Sequence, residues 1–414
     1  MNVWVRLHRF DVWKSAAAGF CAAVLAFGCA ASLAADWYVT PHLYLKQSYD
    51  TNILVTEKDK LDDFITNLRP EVEAVYRTER FRTSWNSYAE LLKYIQESDL
   101  DTVIHDHQAS VAYAINPRLN VRAQGFFRKD KTLETELLEE GLRANRQGRR
   151  RFGGDAGVSY AWSPVLSTSL SAGRSYIRYS GDPDDKSNMW TDSLDLVSRY
   201  VLTPKASAGL TLGYDRSRYD NLEGPVSSLV DRSIQNVLVL PTFQYRFRED
   251  LHGEVGLGYR KTWFEQKQDV KPPFDQIAPD SREKDTFDGF LALFMLQKDW
   301  QRGLLRLNLS RDQYSTLEGE SVERNRFVLS GRYRVTARLT GAGSLDYVRT
   351  KGDRQGADAD YLSVRPNFTF QVMPNMGLTG FLNYLLYDSD TTDTDRWITG
   401  LTLTFSWDRL WSGS

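Results

Sequence analysis

From Val237 to Lys261 the chain alternates apolar and polar residues on both sides of a short charged break. Val237, Val239, Pro241, Phe243, Tyr245 and Phe247 share one parity, with Thr242, Gln244 and Arg246 on the other. In an extended chain successive side chains point to opposite faces, so the pattern predicts a strand with one oily face and one wet face. Beyond Arg248-Glu249-Asp250 the odd positions Val255, Leu257 and Tyr259 resume the apolar face, opposed by His252, Glu254 and Arg260. The unit reads as a hairpin. The same alternation marks Leu119, Val121, Ala123 and Phe127; Leu305, Leu307 and Leu309; Phe327, Leu329, Tyr333 and Val335; Leu362, Val364, Phe368 and Phe370; and Trp397, Leu401, Leu403, Phe405 and Trp407. Two stretches fit less cleanly. "FDGFLALFML", within 284–299, is apolar on both faces, and "YAELLKYI", within 82–97, reads equally well as helix.

Short breaks recur at Thr78-Glu79-Arg80, Asn116-Pro117-Arg118, Ser163-Pro164, Thr203-Pro204-Lys205, Arg248-Glu249-Asp250, Asp299-Trp300-Gln301-Arg302, Thr336-Ala337-Arg338 and Met373-Pro374-Asn375. Between consecutive breaks, two alternating stretches flank a more polar segment such as "SGDPDDKSN", "DNLEGPVSS", "QDVKPPFDQIAPDSREK", "RTKGDRQGADAD" or "DSDTTDTD". Tight turns and longer loops therefore take turns along the chain. That asymmetry is the property of outer-membrane barrels, with short periplasmic turns and long extracellular loops. Eight tight turns join strands in pairs and leave one strand at each end. The expectation is an all-β fold, a transmembrane antiparallel up-and-down β-barrel of about eighteen strands with both termini periplasmic. Pro70, Pro241 and Pro366 fall on the apolar face at similar distances before a tight turn, which predicts a bulge or a lost ladder bond repeated in three hairpins.

Composition narrows this further. A charged fraction of 26% and a mean hydropathy of −0.47 exclude a bundle of membrane helices, whereas 13% aromatic residues is high for a soluble domain. A barrel reconciles the two, because only alternate strand residues meet lipid. Trp37, Trp162, Trp300, Trp407 and Trp411 fall near the expected periplasmic strand ends, where a girdle of amphipathic rings belongs. Closing about eighteen strands leaves a bore too wide for side chains to fill.

Residues 1–35 carry Arg6, Arg9 and Lys14, then an Ala-rich apolar run, then Ser32-Leu33-Ala34. This predicts a cleaved secretory signal peptide followed by one barrel domain, 36–414. A retained anchor is the weaker reading, and Phe27 fits a lipoprotein box around Cys29 poorly. Both cysteines, Cys21 and Cys29, lie in that leader, so the remainder has no thiol for a disulfide, a metal or a nucleophile. A net charge of −2 gives no support to a nucleic-acid partner.

Little in the chain promises catalysis. "FGGDAG" and "TGAGSLD" lack the lysine and hydroxyl of a nucleotide loop. His105 and His107 share one strand face but have no third ligand at defined spacing, and His252 has no evident Ser or Asp partner. No catalytic residue, metal or cofactor is expected, and the chain reads as a non-enzyme. Glu71 and Glu73 share an inward face, with Glu90 on the next strand; lining of the bore outweighs paired-acid chemistry. The candidate lumen residues are Glu71, Glu73, Arg122, Arg246, Glu254, Arg306, Arg332, Arg334 and Arg365, beside Asp346, Asn308 and Asn367. Their mixed sign suits hydrophilic polymers or assorted small solutes. "RANRQGRRR" (143–151) reads as a loop whose arginines grip lipopolysaccharide phosphates, or as a constriction folded into the bore. "DSDTTDTD" (388–395) lacks the glycine and terminal glutamate of a calcium loop and reads as solvated.

The opening strand "WYVTPHLYLKQSYDTNILVT", with its Pro-containing run ending in Tyr49-Asp50-Thr51-Asn52-Ile53, resembles a family of outer-membrane β-barrels encoded with exopolysaccharide and exosortase (PEP-CTERM) gene clusters. The proline-bearing strands and the "SP", "TP" and "NP" turns resemble the same group. The resemblance implies an outer-membrane component of exopolysaccharide secretion, with a polysaccharide substrate and periplasmic polysaccharide-export proteins as partners, and it brings no catalytic residues. A general porin for small hydrophilic solutes is the alternative. A barrel scaffold or lipid-active barrel enzyme is the third.

Overall fold

A computed structural model describes residues 36–131, 148–180, 188–223, 228–270, 281–315, 321–352, 358–389, 392–407 and 411–413. The predicted signal peptide therefore lies outside the described residues. The strands are β1 (Asp36–Asp50), β2 (Asp63–Arg77), β3 (Phe81–Tyr94), β4 (Thr102–Asn116), β5 (Leu119–Lys131), β6 (Gly148–Ala161), β7 (Leu166–Ser180), β8 (Met189–Thr203) and β9 (Ala206–Glu223). They continue as β10 (Ser228–Arg248), β11 (Leu251–Val270), β12 (Ser281–Trp300), β13 (Gly303–Ser315), β14 (Ser321–Arg334), β15 (Leu339–Gly352), β16 (Ala359–Met373), β17 (Met376–Ser389), β18 (Thr392–Ser406) and the short β19 (Trp411–Gly413). Each of β1 to β18 pairs antiparallel with its neighbour in sequence, and β18 returns to β1 from His42↔Ser406 to Asp50↔Ile398. The sheet is a closed barrel of eighteen strands. β19 continues the line of β18 along the start of β1, so the seam is paired down to Trp37. Within that seam Gly400 opposes Ser48, and a Cβ at Gly400 would stand 2.8 Å from the Ser48 Cα. Only glycine allows the two backbones to approach so closely.

Burial is inverted relative to a soluble domain. Phe368, Leu257, Leu401 and Phe290 are more than half exposed, while Asp50, Asp63 and Asp346 are fully buried. The register explains this: the oily parity of every strand points out of the barrel and the polar parity points in. Leu45, Leu68 and Leu403 meet on the outside, whereas Asp346 and Ser363 meet on the inside. The two ambiguous stretches are both strand, β3 and β12. Helical propensity in "YAELLKYI" is overridden because neighbouring strands satisfy its backbone groups from both sides.

All eight predicted tight turns fall at one end of the barrel, the periplasmic end by the short-turn rule. Local hydrogen bonds close them. The Asn116 Oδ1 accepts from Arg118 N (2.8 Å) and Leu119 N (3.0 Å), and the Thr203 Oγ1 accepts from Lys205 N (3.2 Å) and Ala206 N (3.0 Å). Thr336 and Ser163 do the same in their turns. Among the described residues four register shifts sit beside the turns, at Ala114/Asn116, Val201/Thr203, Arg246/Arg248 and Gln371/Met373, and a fifth lies at the other end, at Val230/Arg232. The three strand prolines behave differently. Around Pro70, Pro241 and Pro366 the pairing to the following strand is interrupted, yet it resumes in the same register on either side. On its other side each proline remains paired, to Leu43, Leu210 and Gly343. They are lost ladder bonds without bulges, the direct result of a missing N–H.

One expectation changes. "DSDTTDTD" is not a solvated loop: β17 runs to Ser389 and β18 starts at Thr392, and Thr394 is buried. Alternation persists there as Thr-Asp, so hydropathy gave no strand signal although the pairing Asp388↔Asp393 is regular. Likewise most of "DNLEGPVSS" and both ends of "QDVKPPFDQIAPDSREK" extend β9 to β12.

Candidate functional site

The bore is built by the inward parity of the strands, and all nine candidate lumen residues lie on it. Glu71 accepts from Asn86 Nδ2 (2.7 Å) and stands 3.1 Å from an Arg69 nitrogen, while Glu254 accepts from Gln244 Nε2 (3.0 Å). Arg306 donates to Gln297 (2.8 Å). Asp346, fully buried, lies between Arg326 (2.6 Å) and Arg365 (3.5 Å). Among the described residues Glu73, Arg122, Arg246, Arg332 and Arg334 make no side-chain hydrogen bond or ion pair, so their charged ends face the bore. Arg69 lies over the rings of Tyr44 (4.0 Å) and Tyr88 (4.9 Å), a tyrosine–guanidinium stack on the same wall as the glutamates.

The structure adds an element that strand reasoning missed. The stretch 51–62 between β1 and β2, at the extracellular end, packs apolar side chains against the inner wall on both sides of the seam. Ile53 is buried with Ile65, Leu92, Tyr94 and Ile104, all inward residues of β2 to β4. Val55 is buried with Val348, Tyr361, Leu385 and Tyr387 of β15 to β17. Val55 has a φ of +55°. A β-branched residue in that region is strained by about 1–3 kcal/mol, which its burial offsets. The loop is pinned by the Asp50-Thr51-Asn52 sequence. Both Asp50 oxygens accept from Arg396 Nε (2.8 and 3.0 Å), and one also accepts from Asn52 N (3.1 Å). Asn52 Nδ2 donates to Thr56 O (2.8 Å) and Thr394 Oγ1 (2.9 Å), and its Oδ1 accepts from Thr56 N (3.0 Å). Trp397 N donates to Thr51 Oγ1 (2.9 Å). The first loop thus narrows the extracellular mouth. The available signal was "DTNILV", where apolar residues follow a polar trio at a place expected to be solvated.

Other sequence candidates separate. His105 and His107 point outward, their rings 6.3 Å apart, and His107 meets Ser87 and the Phe127 ring. Among the described residues no group of three metal-ligating side chains forms. Of "RANRQGRRR", 143–147 lie outside the described residues. Alternation then divides the rest: Arg149 turns inward onto Asp130 (3.0 Å) with both fully buried, Arg151 faces the same carboxylate, and Arg150 points outward. Trp37, Trp162, Trp300 and Trp407 are exposed near the periplasmic rim. The side chain of Trp411 is outside the described set.

No protein-family model and no curated protein sequence matches the chain. Solved structures do. The chain is similar to the ferric citrate transporter FecA in its unliganded form, with a TM-score of 0.51 at 10% identity over 85% of this chain and 60% of that one. It is also similar to the ferric yersiniabactin uptake receptor FyuA from Yersinia pestis (TM-score 0.47, 10% identity, 86% of this chain and 62% of that one). OpdL from Pseudomonas aeruginosa gives a TM-score of 0.44 at 12% identity over 91% of this chain and 99% of that one. The chain thus spans about three fifths of the two iron-uptake proteins. At such identities the likeness concerns the fold. An eighteen-strand closed barrel with an apolar outside and a polar inside is a protein of the bacterial outer membrane.

Proposed function

We propose that this barrel is a passive conduit for a secreted polysaccharide across the outer membrane. The observation that carries the reading is the bore itself, where carboxylates, guanidinium groups, amides and the Tyr44–Arg69–Tyr88 stack alternate without a dominant sign. A sugar chain moving past such a wall exchanges many weak hydrogen bonds and ring contacts, none strong enough to hold it. The resemblance of the Asp50-Thr51-Asn52-Ile53 strand end to exopolysaccharide-associated barrels supports the same cargo. Driving force comes from elsewhere, since the described residues offer no energy-coupling chemistry for it. Deleting the gene should leave polymer in the periplasm; unchanged surface polysaccharide would reject the role.

A diffusion pore for small hydrophilic solutes is the second reading, and the pinned first loop favours it, because narrowing the mouth excludes bulky cargo. Planar-bilayer recording with purified protein separates the two. A steadily open pore that passes small sugars without periplasmic partners favours the solute pore.

A further inference from the structure

The outer surface is not uniform. From β4 to β9 the register places side chains in rows across the strands. One row is Ala123, Ala156, Ala172, Leu194 and Tyr214; the next, toward the extracellular end, is Gly125, Gly154, Arg174, Asp192 and Arg216; the next is Phe127, Phe152, Tyr176, Trp190 and Arg218; the last is Lys129, Arg150 and Arg178. Small side chains in the lower rows leave a shallow apolar trough of about 480 Å³, lined by Val121, Ala123, Ala156, Val158, Ala172 and Leu194. Cations stand above it. Counted from the periplasmic strand ends, Lys129, Arg150, Arg178, Arg216 and Arg218 lie about ten to twelve residues up, or ~25–30 Å at ~3.3 Å per residue and ~40° tilt. That height is the upper edge of a ~25 Å apolar band.

Among the described residues these cations have few acidic partners. Asp192 is the only outward carboxylate among the described side chains of β4 to β9, and Arg174 (2.7 Å) and Arg218 (3.5 Å) both reach it. Arg174 also lies over the Trp190 ring, 5.2 Å from its centre. Arg216 Nε is shielded from water and has no hydrogen-bond partner. Lys129, Arg150 and Arg178 have no acidic partner among the described residues. On the opposite wall the outward cations Arg311 and Arg349 are matched, by Glu323 and Asp360. Unmatched guanidinium groups at the edge of hydrocarbon are costly unless an anion meets them.

We infer that the outer face of β5 to β9 is a binding site for lipopolysaccharide of the outer leaflet, its phosphates held by Lys129, Arg150, Arg174, Arg178, Arg216 and Arg218 and an acyl chain laid in the alanine trough. An amphiphile with anionic groups directly above a hydrocarbon chain matches both halves of the surface at once. A free phosphate matches only one.

The test measures lipopolysaccharide retained by detergent-purified barrel after extensive washing. The triple substitution Lys129→Gln, Arg150→Gln, Arg178→Gln should lower retention by about tenfold, and Ala172→Phe, which fills the trough, should lower it severalfold. The pair Arg311→Gln and Arg349→Gln, on the other wall, should leave it unchanged. Heat-modifiable gel migration reports that each variant is folded. Lipopolysaccharide stripped of phosphate should compete poorly, and inorganic phosphate should not displace the lipid. Equal retention by the triple variant, equal competition by the dephosphorylated lipid, or displacement by inorganic phosphate alone would overturn the assignment. Bilayer conductance is untouched by these variants, so the outcome stands apart from the conduit reading.

Discussion

The two rims of the barrel are held together by different kinds of contact. At the periplasmic rim five of the eight turns, at Thr78, Asn116, Ser163, Thr203 and Thr336, are closed by a side-chain oxygen accepting backbone N–H groups two or three residues ahead. At the extracellular mouth the ties are buried and join residues far apart in sequence, Asp50 to Arg396 and Asn52 to Thr394. A hairpin turn needs only its own few residues. An infolded loop needs the closed barrel, because the groups that hold it arrive from strands at both ends of the chain. The comparison therefore assigns stability at the rim to local chemistry and control of the opening to tertiary contacts.

The strongest way to break that contrast is Asp50→Ala. It removes the carboxylate that faces the buried Arg396 guanidinium, and losing one partner of a buried pair costs about 3–5 kcal/mol. Unfolding in denaturant and detergent should shift accordingly, and single-channel conductance should rise as the loop leaves the wall. Unaltered conductance would mean that the loop does not gate the mouth. Adding Arg396→Ala should recover part of the stability without restoring the narrow pore.

Val55→Asp is next. It removes a buried side chain from the Val348, Tyr361, Leu385 and Tyr387 cluster, a loss of roughly 1.5–3 kcal/mol, partly offset because aspartate tolerates positive φ better than valine. Protease cleavage between residues 51 and 62 should accelerate, with conductance again raised. An intact, uncleaved loop in this variant argues that Asp50 and Asn52 suffice to hold it.

At the periplasmic rim Thr203→Ala should cost about 1 kcal/mol for the lost turn bonds and leave conductance as it was. A change in conductance from this turn would erase the proposed division between the rims.

The smallest effect compares exposed carboxylates at the two ends. Asp101, at the mouth, is held below the usual carboxylate range by the Lys93 ammonium and by Tyr94 N–H; Asp250, in a periplasmic turn, is held low by Lys298. A depressed folded pKa contributes stability that is complete above the unfolded value of about 4 and is lost as pH falls through the folded one. Thermal stability should thus be flat from pH 8 to 5 with respect to both groups, and Asp101→Asn and Asp250→Asn should each abolish any part of the acid loss below pH 4 that belongs to that carboxylate. Both are exposed, so neither substitution should be large.

Much of this architecture was legible because membrane barrels write their geometry with period two. The turn residues divided the chain into eighteen strands, and parity alone put Arg122, Arg306, Arg332 and Arg365 on the bore side and Leu257, Phe368 and Leu401 on the lipid side. Where alternation is spelled with Thr and Asp, as at 388–389 and 392–395, hydropathy carries no strand signal although these residues end β17 and begin β18. The prolines were placed correctly, but only the register separated a lost ladder bond from a bulge.

The sequence by itself determined the strand number, the direction in which each side chain points and the side of the membrane on which the turns lie, since each depends on residues adjacent in the chain. Tertiary structure alone decided that Ile53 and Val55 turn into the opening, that Arg396 meets Asp50, and that six cations from four strands gather above one alanine trough. Those features depend on closure, which brings β18 to β1, and on register carried across several successive hairpins, neither of which a single run of residues displays.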